Sequence, residues 1–128
     1  ISNNKIDTAV GYAGIFAVEN LGLSIEGNRI EECANAGILI HRYTKGADNT
    51  IVTNNRIRRI SAVMGGTGQY GNGVNTANAD GVIVANNHIS DCAYSTVRAF
   101  SCGNIQIANN TCLRAGDFNL FRVCPPRC

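Results

Sequence analysis

One short phrase, Asn-x-Ile, usually preceded by a second Asn or a Gly, constrains this chain more than any other feature. It reads Asn3-Asn4-Lys5-Ile6, Gly27-Asn28-Arg29-Ile30, Asn54-Asn55-Arg56-Ile57, Asn86-Asn87-His88-Ile89 and, with Cys in the Ile place, Asn109-Asn110-Thr111-Cys112. Measured on the second residue of each phrase, the steps are 24, 27, 32 and 23 residues. Repeats of that length mark solenoids, in which each copy is one coil that buries its apolar side against its neighbours.

Aligned on the marker Asn, the rest of the chain falls into columns. Ile25, Val52, Val84 and Ile107 stand three residues before it, and the Ile of the phrase two residues after it. Ile15, Ile38, Val97 and Leu120 follow at ten or eleven, with Val74 at nineteen in the third coil. Their neighbours alternate polar and apolar, as in Leu23-Ser24-Ile25, which is the period-two pattern of half-buried strands. With Gly14, Gly37 and Gly73 opening the strand that follows, each coil reads as two or three short strands separated by turns. The expected fold is all-β, a parallel β-helix of about five coils with an Asn ladder. An amide both donates and accepts, and identical residues on successive coils lie about 4.8 Å apart. The marker Asn is therefore read as a rung of the solenoid and not as a repeated catalytic group.

Two further columns face outward. Four residues after the marker come Thr8, Glu32, Arg59, Asp91 and Arg114, whose alternating charge from the second coil on suits a register device. Directly after the marker come Lys5, Arg29, Arg56, His88 and Thr111. Stacked like charges need neutralising, by Asp7 and Glu31 or by a polyanion, and internal pairing is the favoured reading.

The chain has 128 residues, a formal charge of +2, 6 Cys, 14 Gly and no Trp. One domain over residues 1–128 is expected, with residues 124–128 as an irregular tail because adjacent prolines break a ladder. The charge is too small to argue for nucleic acid, and no apolar run reaches the ~20 residues of a membrane span. Cys33, Cys92 and Cys112 fall in apolar columns and read as core residues. Cys33 and Cys92 stand two coils apart, roughly 9–10 Å, too far for a bridge. Cys102, Cys124 and Cys128 are left open. No metal site is expected, since the Cys and His residues lack paired C-x-x-C spacing and no Asp cluster suits Ca²⁺. Gly66-x-Gly68-x-x-Gly71 imitates a dinucleotide fingerprint without its strand-to-helix context, so no cofactor is expected.

The third coil interrupts the rhythm. Between Ile60 and Val74 it carries about nine extra residues, rich in glycine and bearing Tyr70. Insertions in solenoids map to loops, often on the binding face, so a mobile flap with an aromatic for stacking on a sugar is expected here.

The phrases Gly-Asn-Arg-Ile-Glu-Glu-Cys-Ala, Gly-Asn-Gly-Val-Asn-Thr-Ala-Asn-Ala-Asp-Gly and Asn-Asn-His-Ile-Ser-Asp-Cys-Ala-Tyr-Ser resemble a bacterial group of twin-arginine-translocated, uncharacterised repeat proteins. These are similar to right-handed parallel β-helices of the pectate-lyase-like superfamily. The resemblance runs from about Ile1 to Leu120 and is clearest from Gly27 to Asn110. It implies export to the periplasm or beyond and a longer parent solenoid. It does not supply a reaction.

Pectin-processing members of that superfamily work on the exposed face of one sheet. The corresponding residues here are Phe16, Leu39, Asn75, Arg98 and Phe121, with His41 and Arg42 just beyond. In a lyase Arg98 would neutralise a uronate and His41 or Arg42 would take the proton. Asn78-Ala79-Asp80-Gly81 resembles a polygalacturonase phrase, although an Asp-Gly turn explains it and paired carboxylates are missing. The candidate ligand-binding residues are thus Tyr70, Asn75, Arg98, His41, Arg42 and Asp80. The favoured function is an exported domain that binds or scaffolds carbohydrate, expected to be an acidic polysaccharide. A polysaccharide lyase or glycoside hydrolase is the second reading. The third is a structural, adhesin-like solenoid that self-associates end to end through open sheet edges.

Overall fold

A computed structural model of the chain describes residues 1–116 and the backbone of Phe121–Cys124. Its strands, in chain order, are Lys5–Asp7 (β1), Ile15–Val18 (β2), Ser24–Glu26 (β3), Arg29–Cys33 (β4), Ala36–Ala47 (β5), Ile51–Thr53 (β6) and Arg56–Ile60 (β7). Asn72–Asp80 (β8), Ile83–Ala85 (β9), His88–Cys92 (β10), Val97–Phe100 (β11), Gln106–Ala108 (β12), Thr111–Ala115 (β13) and Phe121–Cys124 (β14) complete them. Every pairing between them is parallel, in three sheets: β1-β4-β7-β10-β13, β2-β5-β8-β11-β14 and β3-β6-β9-β12. The expected parallel β-helix is observed, with three strands in each complete coil.

The columns read from the sequence become the core. Ile30, Ile57 and Ile89 pair in register on the first sheet, Ile25, Val52 and Val84 on the third, and all six are fully buried. On the second sheet Ile38, Val74 and Val97 align and are equally buried. The final coil differs from expectation by one residue. Phe121 pairs with Val97, and Arg122 with Arg98, so Phe121 does not continue the Phe16 column. Leu120, the other residue of that alignment, and residues 125–128 of the anticipated tail lie outside the described residues, while Cys124 ends β14.

The marker Asn residues form the ladder. Asn28 Nδ2 donates to Asn55 Oδ1 at 3.0 Å and Asn55 Nδ2 to Asn87 Oδ1 at 3.0 Å, with Asn4 and Asn110 at either end. Each of these oxygens also accepts the backbone N–H of the preceding rung, as from Asn28 to Asn55 at 2.9 Å. The second amide hydrogen meets a carbonyl of the neighbouring coil, Ile25 for Asn55 and Val52 for Asn87. The inner rungs are 2% exposed, so these bonds satisfy amides that water cannot reach. The residue before each rung has a left-handed backbone, φ 55° to 58° at Asn3, Asn54, Asn86 and Asn109 and 67° at Gly27. That corner explains why the phrase begins with Asn or Gly, the two residues that adopt this conformation most cheaply.

A second left-handed corner falls on residues chosen otherwise. Thr8, Glu32, Arg59, Asp91 and Arg114 all have φ between 53° and 59°. Side chains of a plain strand alternate, so residues three apart face opposite ways. The corner resets that parity and lets Ile30 and Cys33, Ile57 and Ile60, and Ile89 and Cys92 all enter the core. Such backbone costs about 1–2 kcal/mol at a residue with a β-carbon. Ion pairs join these corners from coil to coil, Arg59 to Glu32 and Arg114 Nη2 to Asp91 at 2.9 Å. Alongside them Glu31 accepts from Arg29 at 2.6 Å, Arg59 at 2.9 Å and Arg58 at 3.2 Å. The expected internal neutralisation is thus real at Glu31. Asp7 instead accepts from Thr8 at 3.3 Å.

The thiols of Cys33, Cys92 and Cys102 are free and buried, and that of Cys112 is free and half-buried. Burial pushes the Cys33 thiol up to about 11 and that of Cys92 to about 12, as expected of core residues. Among the described residues no helix is long and apolar enough to cross a membrane, and no group of three His, Cys, Asp or Glu is placed to hold a metal.

Two outcomes follow from these contacts. Asn55→Ala leaves backbone and side-chain partners unsatisfied on both sides and should cost about 2–4 kcal/mol in urea unfolding. Asn4→Ala, at an exposed rung, should cost less than about 1 kcal/mol. The Arg29 and Arg58 guanidiniums lower the Glu31 carboxyl from its ordinary 4.5 to about 2. A carboxyl depressed on folding stabilises above its unfolded value and loses that contribution as pH falls through its folded value. Unfolding free energy should therefore drop between about pH 4.5 and pH 2, and Glu31→Gln should flatten this part of the acid limb in a denaturant series run across that window.

Candidate functional site

The outer face of the second sheet carries two columns of side chains. Phe16, Leu39, Asn75 and Arg98 form one, and Val18, His41, Ala77 and Phe100 the other. Strand alternation puts these residues outside whenever Ile38, Ile40, Val74 and Thr76 are inside. Close approach at the start of each strand fixes the sheet against the first one. A β-carbon on Gly37 would lie 2.6 Å from Ile57 Cγ2, and one on Gly14 2.9 Å from Ile30 Cγ2. Glycine is required there for space, since neither residue has a positive φ.

Two departures from the repeat raise walls on this face. The first is the insertion after Ile60. It is fastened at several points rather than free to swing. Asn35 Oδ1 accepts from Met64 N–H at 2.8 Å, the Asn35 carbonyl accepts from Gly71 N–H at 2.6 Å, and Asn72 Nδ2 donates to the Gly68 carbonyl at 2.9 Å. Tyr94 Oη donates to the Gly66 carbonyl at 3.3 Å. Asn75 Nδ2 donates to the Gln69 carbonyl at 3.1 Å while Asn75 Oδ1 accepts from Arg98 at 3.2 Å. The loop thereby holds Gln69 and Tyr70 over the sheet.

The second departure lies between His41 and Gly46, where β5 slips in register against β8. The looped-out segment carries Tyr43, 75% exposed and edge-on to the His41 ring with centroids 4.9 Å apart. Its anchor is Arg42, whose guanidinium meets Glu19 at 3.0 Å, the buried Asp48 at 3.7 Å and the Asn20 carbonyl at 3.0 Å. Glu19 also accepts from Tyr43 N–H at 2.6 Å.

Between these walls runs a groove of about 360 Å³. Tyr12 and Phe16, with ring centroids 5.8 Å apart, close one end of it. Phe16, Leu39 and Asn75 run along the floor with Ala36 and Ala77 beside them, and His41 and Tyr43 stand on one side, Gln69 and Tyr70 on the other. Among the described residues that line it there is no Asp, Glu, Lys or Arg.

Of the six residues anticipated from sequence, the groove gathers three, Tyr70, Asn75 and His41. Arg98 stands beside it, held by Asn75 and stacked 4.9 Å from the Phe100 ring. Arg42 and Asp80 do not belong to it. Arg42 is taken up by Glu19 and Asp48, and Asp80 pairs with Lys45 and accepts from Gly103 N–H at 2.6 Å. The Lys45 ammonium, then that N–H, hold the Asp80 carboxyl below the usual carboxylate range. Tyr12, Tyr43 and Gln69 escaped the sequence reading, because turns and bulges carry no column to align. The Tyr12-x-x-x-Phe16 pair of aromatics in an aromatic-poor chain was the available signal.

Asn75 is placed as a clasp between sheet and insertion. Asn75→Ala should lower stability by only about 1 kcal/mol. It should markedly speed limited proteolysis and amide exchange across residues 61–71, with little change in the core strands.

No curated protein and no solved structure matches the chain. The right handed beta helix region family matches residues 1–120, nearly the whole length over which the ladder and the three sheets were traced. The chain belongs to the right handed beta helix family.

Proposed function

We propose that this chain is an exported β-helix domain that binds polysaccharide in the groove on its second sheet. The observation that carries this reading is the lining itself: exposed aromatic rings from two neighbouring coils and the half-buried Tyr70 of a third, interspersed with amides and hydroxyls. Sugar rings present C–H faces that pack on aromatic planes and hydroxyls that need hydrogen-bond partners. Tyr12, Phe16 and Tyr43 supply such planes, being 53%, 46% and 75% exposed. The Gln69 amide, whose Oε1 already accepts from Thr67 N–H at 2.8 Å, retains donors for a hydroxyl. A volume of about 360 Å³ falls near the lower end of the roughly 300–1,000 Å³ typical of small-molecule pockets.

Binding is favoured over cleavage at this site. Two-carboxylate glycoside hydrolysis needs an acid and a base flanking the bond, and the groove lining offers neither Asp nor Glu. Of the two residues anticipated as a lyase base, Arg42 is turned to Glu19 and Asp48, and His41 lines the groove edge-on to the Tyr43 ring.

The test is a polysaccharide array read for both retention and product. Retention is expected without new reducing ends or unsaturated products; release of either would move the assignment to an enzyme. Tyr12→Ala and Tyr43→Ala should each weaken retention about three- to tenfold. As exposed positions they should shift thermal unfolding by no more than about 0.5 kcal/mol.

A further inference from the structure

The groove carries an inference about the chemistry of its ligand, which rests on the glycan-binding reading above. We infer that it selects uncharged polysaccharides with apolar ring faces, lying across the strands along the helix axis, and discriminates against uronate-rich polymers.

Charge is the first argument. A carboxylate placed against Phe16, Leu39 and Ala77 would lose hydration, and among the described residues that line the groove no Lys or Arg offsets that cost. The nearest cations are committed elsewhere. Arg42 is bound to Glu19 and Asp48, and the Arg98 guanidinium is drawn to Asn75 and to the face of Phe100. Glu19, 38% exposed at its side chain, holds Arg42 in an ion pair at the Tyr43 wall, so that rim offers an anionic polymer no unpaired cation. Three of the chain's 11 Lys and Arg residues, Arg29, Arg58 and Arg59, converge instead on the Glu31 carboxylate of the first sheet.

Geometry gives the direction. Phe16, Leu39 and Asn75 are paired in register on three consecutive coils, so the floor extends about 10 Å along the helix axis at the usual strand spacing. The insertion and the bulge that carries Tyr43 stand on either side of that line. A chain of pyranoses with equatorial hydroxyls exposes C–H faces in succession, which suits aromatic contacts at successive coils. Axial hydroxyls would interrupt those faces.

The test compares β-1,4-linked neutral gluco- and xylo-oligosaccharides with oligogalacturonates of the same lengths, by calorimetry at low and high salt. Neutral oligomers are expected to bind about tenfold or more tightly than uronates. Their affinity should rise with length and change less than about twofold with salt. Leu39→Arg, checked for folding by circular dichroism, should narrow or reverse the preference. Uronates binding as tightly as neutral oligomers, with strong salt dependence, would overturn the selectivity and leave glycan binding standing. If neither class binds at any length, both the selectivity and the glycan-binding reading fail.

Discussion

A buried amide with four hydrogen bonds sets the terms for this fold. At Asn28, Asn55 and Asn87 the side chain reaches the coil on either side through its oxygen and its nitrogen, and it caps backbone groups that the corner would otherwise strand. Satisfaction at this corner requires the same residue at the same place in the next coil, because only stacked amides complete one another. The ladder therefore holds whether 23 or 32 residues separate its rungs. Extra residues cannot be spread around the coil and must leave it as a local excursion. Left-handed residues at the corners enforce the same discipline by fixing where each strand may turn.

That constraint separates what repeats in the molecule from what departs from the repeat. Core positions repeat, whereas the groove lies between the two places where the repeat is broken, the insertion after Ile60 and the bulge after His41. The repeating framework is itself divided by charge. The first sheet joins its coils by ion pairs, Arg59 to Glu32, Arg114 to Asp91 and three arginines to Glu31. The second sheet exposes aromatic and amide side chains, and keeps its ion pairs, Arg42 to Glu19 and Lys45 to Asp80, at the bulge.

Sequence columns carried the architecture because stacking is in register: Ile30, Ile57 and Ile89 align in the chain and touch in space for the same reason. The Asn ladder, the buried Cys33 and Cys92 and the place of the third-coil insertion were legible in this way. Less legible was anything depending on backbone handedness. The alternating charges at Glu32, Arg59, Asp91 and Arg114 were visible, but nothing in those residue types signals the left-handed turn that lets Cys33 and Ile60 face inward. Hydrogen-bond commitments were hidden as well. Arg42 and Asp80 have the chemistry of a site, and only their partners Glu19, Asp48 and Lys45 reveal that they hold a bulge in place. Tyr43 stands on that bulge, outside any column, where the register slips after His41.

The free thiols add a property of another kind. Cys33 lies in the second coil and Cys92 in the fourth, each sealed in the core at 1% and 4% exposure and far above neutral in its ionisation. Such a thiol is inert while its coil is closed and reacts when the coil opens. The two cysteines thus act as internal clocks at separate heights of the stack. Equal alkylation rates would mean that the solenoid opens as one unit. Unequal rates would mean that it frays coil by coil, as nearest-neighbour stacking allows.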